Sequence, residues 1–178
     1  PTFNGGTDSP WFNSGGPFRS EQGYGKANVN EGGIRVPFII SWPGKINPGT
    51  ESDHVSAFWD ILPTLCDVAG VSVPKESDGI SFLPELKGKR QKKHEFLYWE
   101  FPESGGQQAV ITGKYKAMRK NMNNGNTEFL LFDLESDREE TTNIAADHPE
   151  IISKVEAIIR KEHQKSTNTK WQYKVLGD

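Results

Sequence analysis

The chain has 178 residues, 34% of them hydrophobic and 25% charged, with a formal net charge of −3 and a pI near 5.9. That balance gives no basic footprint for nucleic acid, and no apolar run approaches the ~20 residues a membrane-spanning helix needs. Cys66 is the single cysteine, which excludes an intrachain disulfide and a cysteine-based zinc cluster but leaves the compartment open.

The length allows one domain or two small lobes, and a folded chain of this size buries roughly 70% of its unfolded surface. The chain opens at Pro1 without an initiator methionine or a visible signal peptide, as expected of a processed, cut or cloned piece. Residues 1–33 contain eight glycines, interspersed with Asn, Ser and Pro, and show neither a strand nor a helix period. They read as an ordered loop or a disordered arm, and Trp11, Phe12, Phe18 and Tyr24 favour order.

Arg35 to Trp42 is apolar without alternation, the pattern of a strand covered on both faces. Asp60 reads as the N-cap of a helix over 61–69 with Gly70 at its end. Ile61, Leu62, Leu65, Val68 and Ala69 would form that helix's apolar face, with Cys66 as a buried, inert thiol. Residues 71–93 form a polar bridge ending in the basic run 87–93, a solvated surface loop. Strands follow at 95–101, 108–119 and 128–134, the last two joined by a turn at Asn123–Asn126. Asp147-His-Pro-Glu150 starts a final helix whose Ile151, Ile152, Val155, Ile158 and Ile159 recur at helical spacing. One such helix on a three- or four-stranded antiparallel sheet makes a small lobe.

Few residues carry recognisable chemistry. No Gly-x-Ser-x-Gly elbow is present, and the four histidines form no i, i+4 pair for zinc. The acidic run from Asp133 to Glu140 fails as a calcium loop, since Arg138 stands where glycine is needed and Ile144 where the bidentate glutamate belongs. It reads as a solvated turn with capping carboxylates. Lys26 lies five residues before Glu31-Gly32-Gly33. A lysine in a glycine-rich loop is either simply solvated or a three-donor point charge suited to phosphate or sulfate.

The ordered series Gly15-Gly-Pro-Phe-Arg19, Gly25-Lys26, Glu31-Gly-Gly-Ile-Arg-Val-Pro37, Trp42-Pro-Gly44, Asp60-Ile-Leu-Pro-Thr-Leu65 and Asp78-Gly79 resembles the type I, formylglycine-dependent sulfatases. Gln108-Ala-Val110, Gly113-Lys-Tyr-Lys-Ala117, Leu131-Phe-Asp-Leu134 and Asn143-Ile-Ala145 continue the resemblance over nearly the whole chain. It implies an α/β fold: the end of an alkaline-phosphatase-like α/β/α domain, then a small α+β lobe with an antiparallel sheet and one C-terminal helix. The implied division is 1–79 for the incomplete catalytic domain, 80–93 for a linker and 94–178 for the C-terminal subdomain.

In that family a hydrated formylglycine attacks the sulfur of a sulfate ester, and a calcium ion polarises the sulfate. The lysine at the position of Lys26 contacts sulfate oxygens. The Cys/Ser-x-Pro-x-Arg nucleophile motif and the metal-binding Asp-Asn-Gly do not occur here. The chain therefore looks like the C-terminal portion of a sulfatase. Calcium and formylglycine would belong to the intact parent, no metal ligand falls in this chain, and the piece alone would be inactive. Asn30 replaces an aromatic residue common before the Glu-Gly-Gly.

The loop at 100–107 lies where related enzymes reach toward the sugar or aryl group of the substrate. Glu103 and Gln107 are candidate substrate contacts, or members of an ordinary polar loop. Periplasmic or secreted location and a sulfated small molecule or glycan substrate follow from the resemblance. A phosphonate or phosphodiester hydrolase of the same superfamily is one alternative. A non-catalytic glycan-binding module formed by residues 90–178 is another. The N-terminal third is expected to be loosely ordered or to depend on a missing segment.

Overall fold

The computed structural model describes residues 9–12, 15–19 and 24–178. The glycine-rich arm expected at the N-terminus falls in part outside these. In chain order the elements are α1 (Ser9–Phe12), α2 (Glu31–Ile34), α3 (Ile61–Ala69), α4 (Leu83–Leu86), β1 (Leu97–Phe101), β2 (Gln107–Thr112), β3 (Tyr115–Lys120), β4 (Leu130–Asp133) and α5 (Pro149–Glu162). The chain forms two compact units, one being Pro37–Glu95 and the other combining the residues up to Val36 with those from Phe96 onward.

In the second of these units, four antiparallel strands lie in the order β1-β2-β3-β4. The single strand expected over 108–119 is a hairpin, because Gly113 takes a φ of +58° and turns the chain between Thr112 and Tyr115. Side chains alternate across the pleat. On one face Val110, Ala117 and Leu131 pack with Val155, Ile158 and Ile159 of α5. Each of the buried Val, Leu and Ile side chains contributes about 1.5–3 kcal/mol of transfer free energy. The α5 helix begins one residue later than its sequence suggests. Asp147 closes a 3-10 turn, His148 occupies the N-cap position without a side-chain capping bond, and Pro149 fills the first turn.

The opposite sheet face is also covered. Val29 joins Ala109, Met118 and Phe132 there, flanked by Trp99 and Phe101. The segment from Tyr24 to Ile34 is therefore tied to the sheet rather than loose. Beyond it the expectation fails differently: residues 35–42 form no ladder among the described residues, and Val36, Phe38 and Ile39 are exposed. A strand needs a partner for its N–H and C=O groups, and no described segment supplies one.

Within Pro37–Glu95, α3 spans the expected residues and ends at Gly70 with φ +69°. Asp60 occupies its N-cap position, but its side chain makes no capping bond. The buried carboxylate instead accepts from the N–H groups of Ala57 and Ile80, both at 2.8 Å, and lies 2.8 Å from His94 Nε2. It thus ties three loop segments together. Pro63, Thr64 and Cys66 are the buried residues of α3, whereas Leu62, Leu65 and Val68 are exposed. Thr64 Oγ1 donates to Asp60 O at 2.7 Å and accepts from Phe82 N at 3.0 Å.

Candidate functional site

The sheet face away from α5 builds a platform for the loop that carries Lys26. On β3 the residues Lys116, Met118 and Lys120 point to that face. Met118 packs in the apolar cluster, and the two lysines meet α2 and the residue before it. Lys116 is fully buried, with Nζ 2.8 Å from Glu31 Oε1 and 2.8 Å from Glu140 Oε1. A buried ammonium is tolerable only when paired in this way.

Glu140 completes the cluster from the far side. It holds a φ of +56°, in the left-handed region that non-glycine residues seldom adopt. Its Oε2 accepts from Asn30 Nδ2 at 2.7 Å and from Glu31 N at 2.9 Å. Its Oε1 sits beside Lys116 as an ion-pair contact without hydrogen-bond alignment. The acidic turn is therefore only partly the solvated feature its sequence suggests. Asp137 does cap it, accepting from the N–H groups of Thr141 and Thr142, but Glu140 is buried.

Lys120 donates to Asn30 Oδ1 and lies 5.2 Å from the centre of the Tyr24 ring. Burial brings its pKa down to about 8; the Glu140 charge opposes that shift, while Lys116 and Arg19 add to it. The Tyr24 ring also carries the Arg19 guanidinium, 3.4 Å from its centroid.

Gly32 and Gly33 explain why this loop can lie so close. A Cβ on Gly32 would sit 1.8 Å from Arg19 O, and one on Gly33 would sit 2.1 Å from Asn28 O and 2.5 Å from Gly25 O. All are backbone atoms, so no side chain fits at either position. Between these fixed points Gly25 is buried, Lys26 is exposed and Ala27 takes a φ of +65°. The Lys26 side chain makes no hydrogen bond or ion pair with a described residue.

The structure places the other two candidate residues differently. Glu103 is exposed on the β1–β2 loop. That loop runs through three consecutive positive φ values at Ser104, Gly105 and Gly106, and Met122 N and Asn123 N brace it by bonding Gly106 O and Gly105 O. Gln107 follows at the start of β2 and is buried. Its Nε2 donates to Ala27 O at 3.2 Å, and its Oε1 accepts from Val29 N at 3.2 Å. Its amide therefore faces the Lys26 loop, and its own carbonyl accepts from Tyr173 OH at 2.9 Å.

A second polar cluster, unmarked by any sequence motif, lies on the α5 side. His163 Nδ1 is 2.6 Å from Glu100 Oε1 and its Nε2 is 2.9 Å from Asp178 Oδ1. Burial opposes the charged imidazolium, but the bonds to Asp178 and Glu100 outweigh it and raise the pKa. Asp178 in turn accepts from Tyr173 N at 2.7 Å, which fixes the C-terminal segment. Among the described residues, no group of three or more His, Cys, Asp or Glu side chains is arranged to hold a metal ion.

Comparison with known proteins agrees with this architecture. The family model described as N-sulphoglucosamine sulphohydrolase, C-terminal, matches residues 21–169. An ulvan-active sulfatase of Formosa agariphila is 40% identical over 74 residues, covering 42% of this chain and 15% of that protein. Human arylsulfatase A is 42% identical over 97 residues, covering 52% of this chain and 19% of its own length. A solved structure from the glycosaminoglycan metabolism of Bacteroides thetaiotaomicron superposes with a TM-score of 0.60 at 26% identity, over 74% of this chain and 29% of that one. The fold is accordingly α/β, the four-stranded antiparallel lobe and its C-terminal helix being those of alkaline-phosphatase-like sulfatases. The matches span less than a fifth of the length of the two curated relatives. Because the family model matches well over half of its length, the chain belongs to the sulfatase family, as a C-terminal portion.

Proposed function

We propose that this chain is part of an enzyme that hydrolyses sulfate esters, and that Lys26 contributes a cation to the sulfate-binding site. The observation that carries the proposal is the contrast at Lys26. Its neighbours are clamped to the sheet, while its ammonium is exposed and meets no described partner. Transfer of a sulfuryl group spreads negative charge over the transferred oxygens and the leaving group. A fixed ammonium aimed at that charge stabilises the transition state more than the ground state. Loss of one such donor raises the barrier by about 3–4 kcal/mol.

The remaining chemistry belongs, in this proposal, to parts of the polypeptide outside this stretch. Calcium would polarise the sulfate and formylglycine would supply the nucleophile. None of the residues described here is assigned to those groups. Residues 1–79 would close the catalytic domain, 80–93 would link, and 94–178 would form the subdomain on whose sheet the Lys26 segment rests. The exposed apolar residues Leu62, Leu65 and Val68 of α3 offer a face for the preceding part of the same enzyme to cover.

A sulfated glycan is the proposed substrate, with Glu103 as a candidate contact. The ulvan-active relative and the glycosaminoglycan-metabolism structure support that choice, and a periplasmic or secreted enzyme would meet such polymers. Sulfate release from a panel of sulfated sugars and 4-nitrophenyl sulfate, by the protein at its full encoded length, tests the proposal. Lys26→Ala is expected to lower turnover by about 100-fold or more, and unchanged turnover rejects the role of Lys26. Parallel assay of the matching phosphate and phosphonate esters separates the sulfatase from a phosphoryl-group hydrolase.

A further inference from the structure

We propose that Gln107 is a positioning residue for Lys26, acting through the backbone of the loop rather than on the substrate; this rests on the sulfate-contact role proposed above. Both polar atoms of its side chain are engaged, one with Ala27 O and the other with Val29 N, and the residue is 1% exposed. A planar amide that bonds the same loop at two points fixes both its distance and its orientation.

The bond to Ala27 falls at the residue that sets the direction of Lys26. Ala27 follows it directly and holds a φ of +65°. An alanine in the left-handed region is strained and persists only where its surroundings hold it. Gln107 is well placed to do so, because its own backbone is fixed. It pairs with Phe101 and Lys120 across the sheet, and its carbonyl takes the Tyr173 hydroxyl. A second anchor, Glu140 to Asn30 Nδ2 and Glu31 N, holds the following residues without Gln107. Loss of the glutamine amide therefore leaves the loop attached but free to pivot at Lys26.

Double-mutant kinetics on the protein at its full encoded length test the inference, read with the sulfate ester that gives the highest turnover. Gln107→Met removes both bonds at similar volume. It is expected to lower kcat by about 10–100-fold, the range a misdirected catalytic group produces, with a smaller change in KM and little change in Tm. In the Lys26→Ala background Gln107→Met should cause no further loss, since the two residues act as one unit. Gln107→Leu likewise removes both bonds without burying a charge; it should lower kcat in the same range, which serves if the methionine variant is unstable. Inhibition by inorganic sulfate should weaken in parallel with kcat.

Multiplicative losses in the double variant would mean that Gln107 acts independently of Lys26, and would overturn the inference while leaving the lysine's role intact. A Gln107→Met enzyme with unaltered kcat, or with Tm and kcat lost together and equally in both backgrounds, also overturns it. If Lys26→Ala itself leaves turnover unchanged, the underlying proposal fails and this inference falls with it.

Discussion

Replacing Lys116 by methionine tests the buried charge cluster at its centre. The ammonium is fully buried and lies 2.8 Å from carboxylate oxygens of both Glu31 and Glu140. At an effective dielectric of about 20 each contact contributes about 6 kcal/mol gross, and desolvation of three charges cancels most of that sum. Methionine fills much of the same volume, so the main change is two buried carboxylates without their shared cation. Arg35, 3.4 Å from Glu31 Oε2 and largely exposed, relieves only one of them. The expected cost is about 3–5 kcal/mol, a large share of the ~5–15 kcal/mol that holds a domain folded. Urea denaturation followed through the fluorescence of Trp99, which flanks the Val29 cluster, measures it. Adding Glu31→Gln and Glu140→Gln to Lys116→Met removes the stranded charges and should recover more than half of the loss. A single Lys116→Met variant that loses less than about 1 kcal/mol would behave like a surface pair, and would refute the assignment of a buried, mutually dependent cluster.

Gly33→Ala should destabilise the loop by about 1–3 kcal/mol or more, because its Cβ would sit 2.1 Å from Asn28 O. Gly113→Ala, with φ +58° and nothing within 4 Å, should cost only the left-handed backbone term of about 1–2 kcal/mol; limited proteolysis and urea midpoints separate the two. The raised pKa of His163 makes a directional pH prediction. Its stabilising charge is fully present below its ordinary value of 6.5 and is lost as pH rises through the higher folded value. Thermal melts should therefore show the unmodified chain losing stability on that rise relative to His163→Gln, and parallel curves would contradict the bonds to Glu100 and Asp178.

Much of the small lobe was legible because its signals are local. The 3.6-residue spacing of Val155, Ile158 and Ile159 marks α5, and Gly70 marks the end of α3. Other features depend on partners that no local pattern names. The apolar stretch at 35–42 has a strand's composition, but a ladder requires a second chain segment. Amphipathicity located the apolar side of α3 without revealing that Leu62, Leu65 and Val68 stay exposed. Glu140 sits in an acidic run that suggests solvent, and only a backbone at φ +56° turns its carboxylate toward Asn30 and Lys116. At the candidate site Lys26 and the paired glycines stand out through the resemblance of their segment to the sulfatases, since a lysine in a glycine-rich loop is by itself equally read as solvated. The clamp from Gln107 could not, because it joins residues about eighty positions apart in the chain. The one local signal is the Gly105-Gly106 pair, whose positive φ values let the chain enter β2 with Gln107 facing the loop.

A crystal structure of the protein at its full encoded length, grown with sulfate or an unreactive sulfate-ester analogue, tests the central claim most directly. Lys26 Nζ is expected at about 2.7–3.2 Å from an oxygen of the bound anion, with Gln107 still bonded to Ala27 and Val29. An anion bound in the catalytic centre with Lys26 turned away into solvent would contradict it.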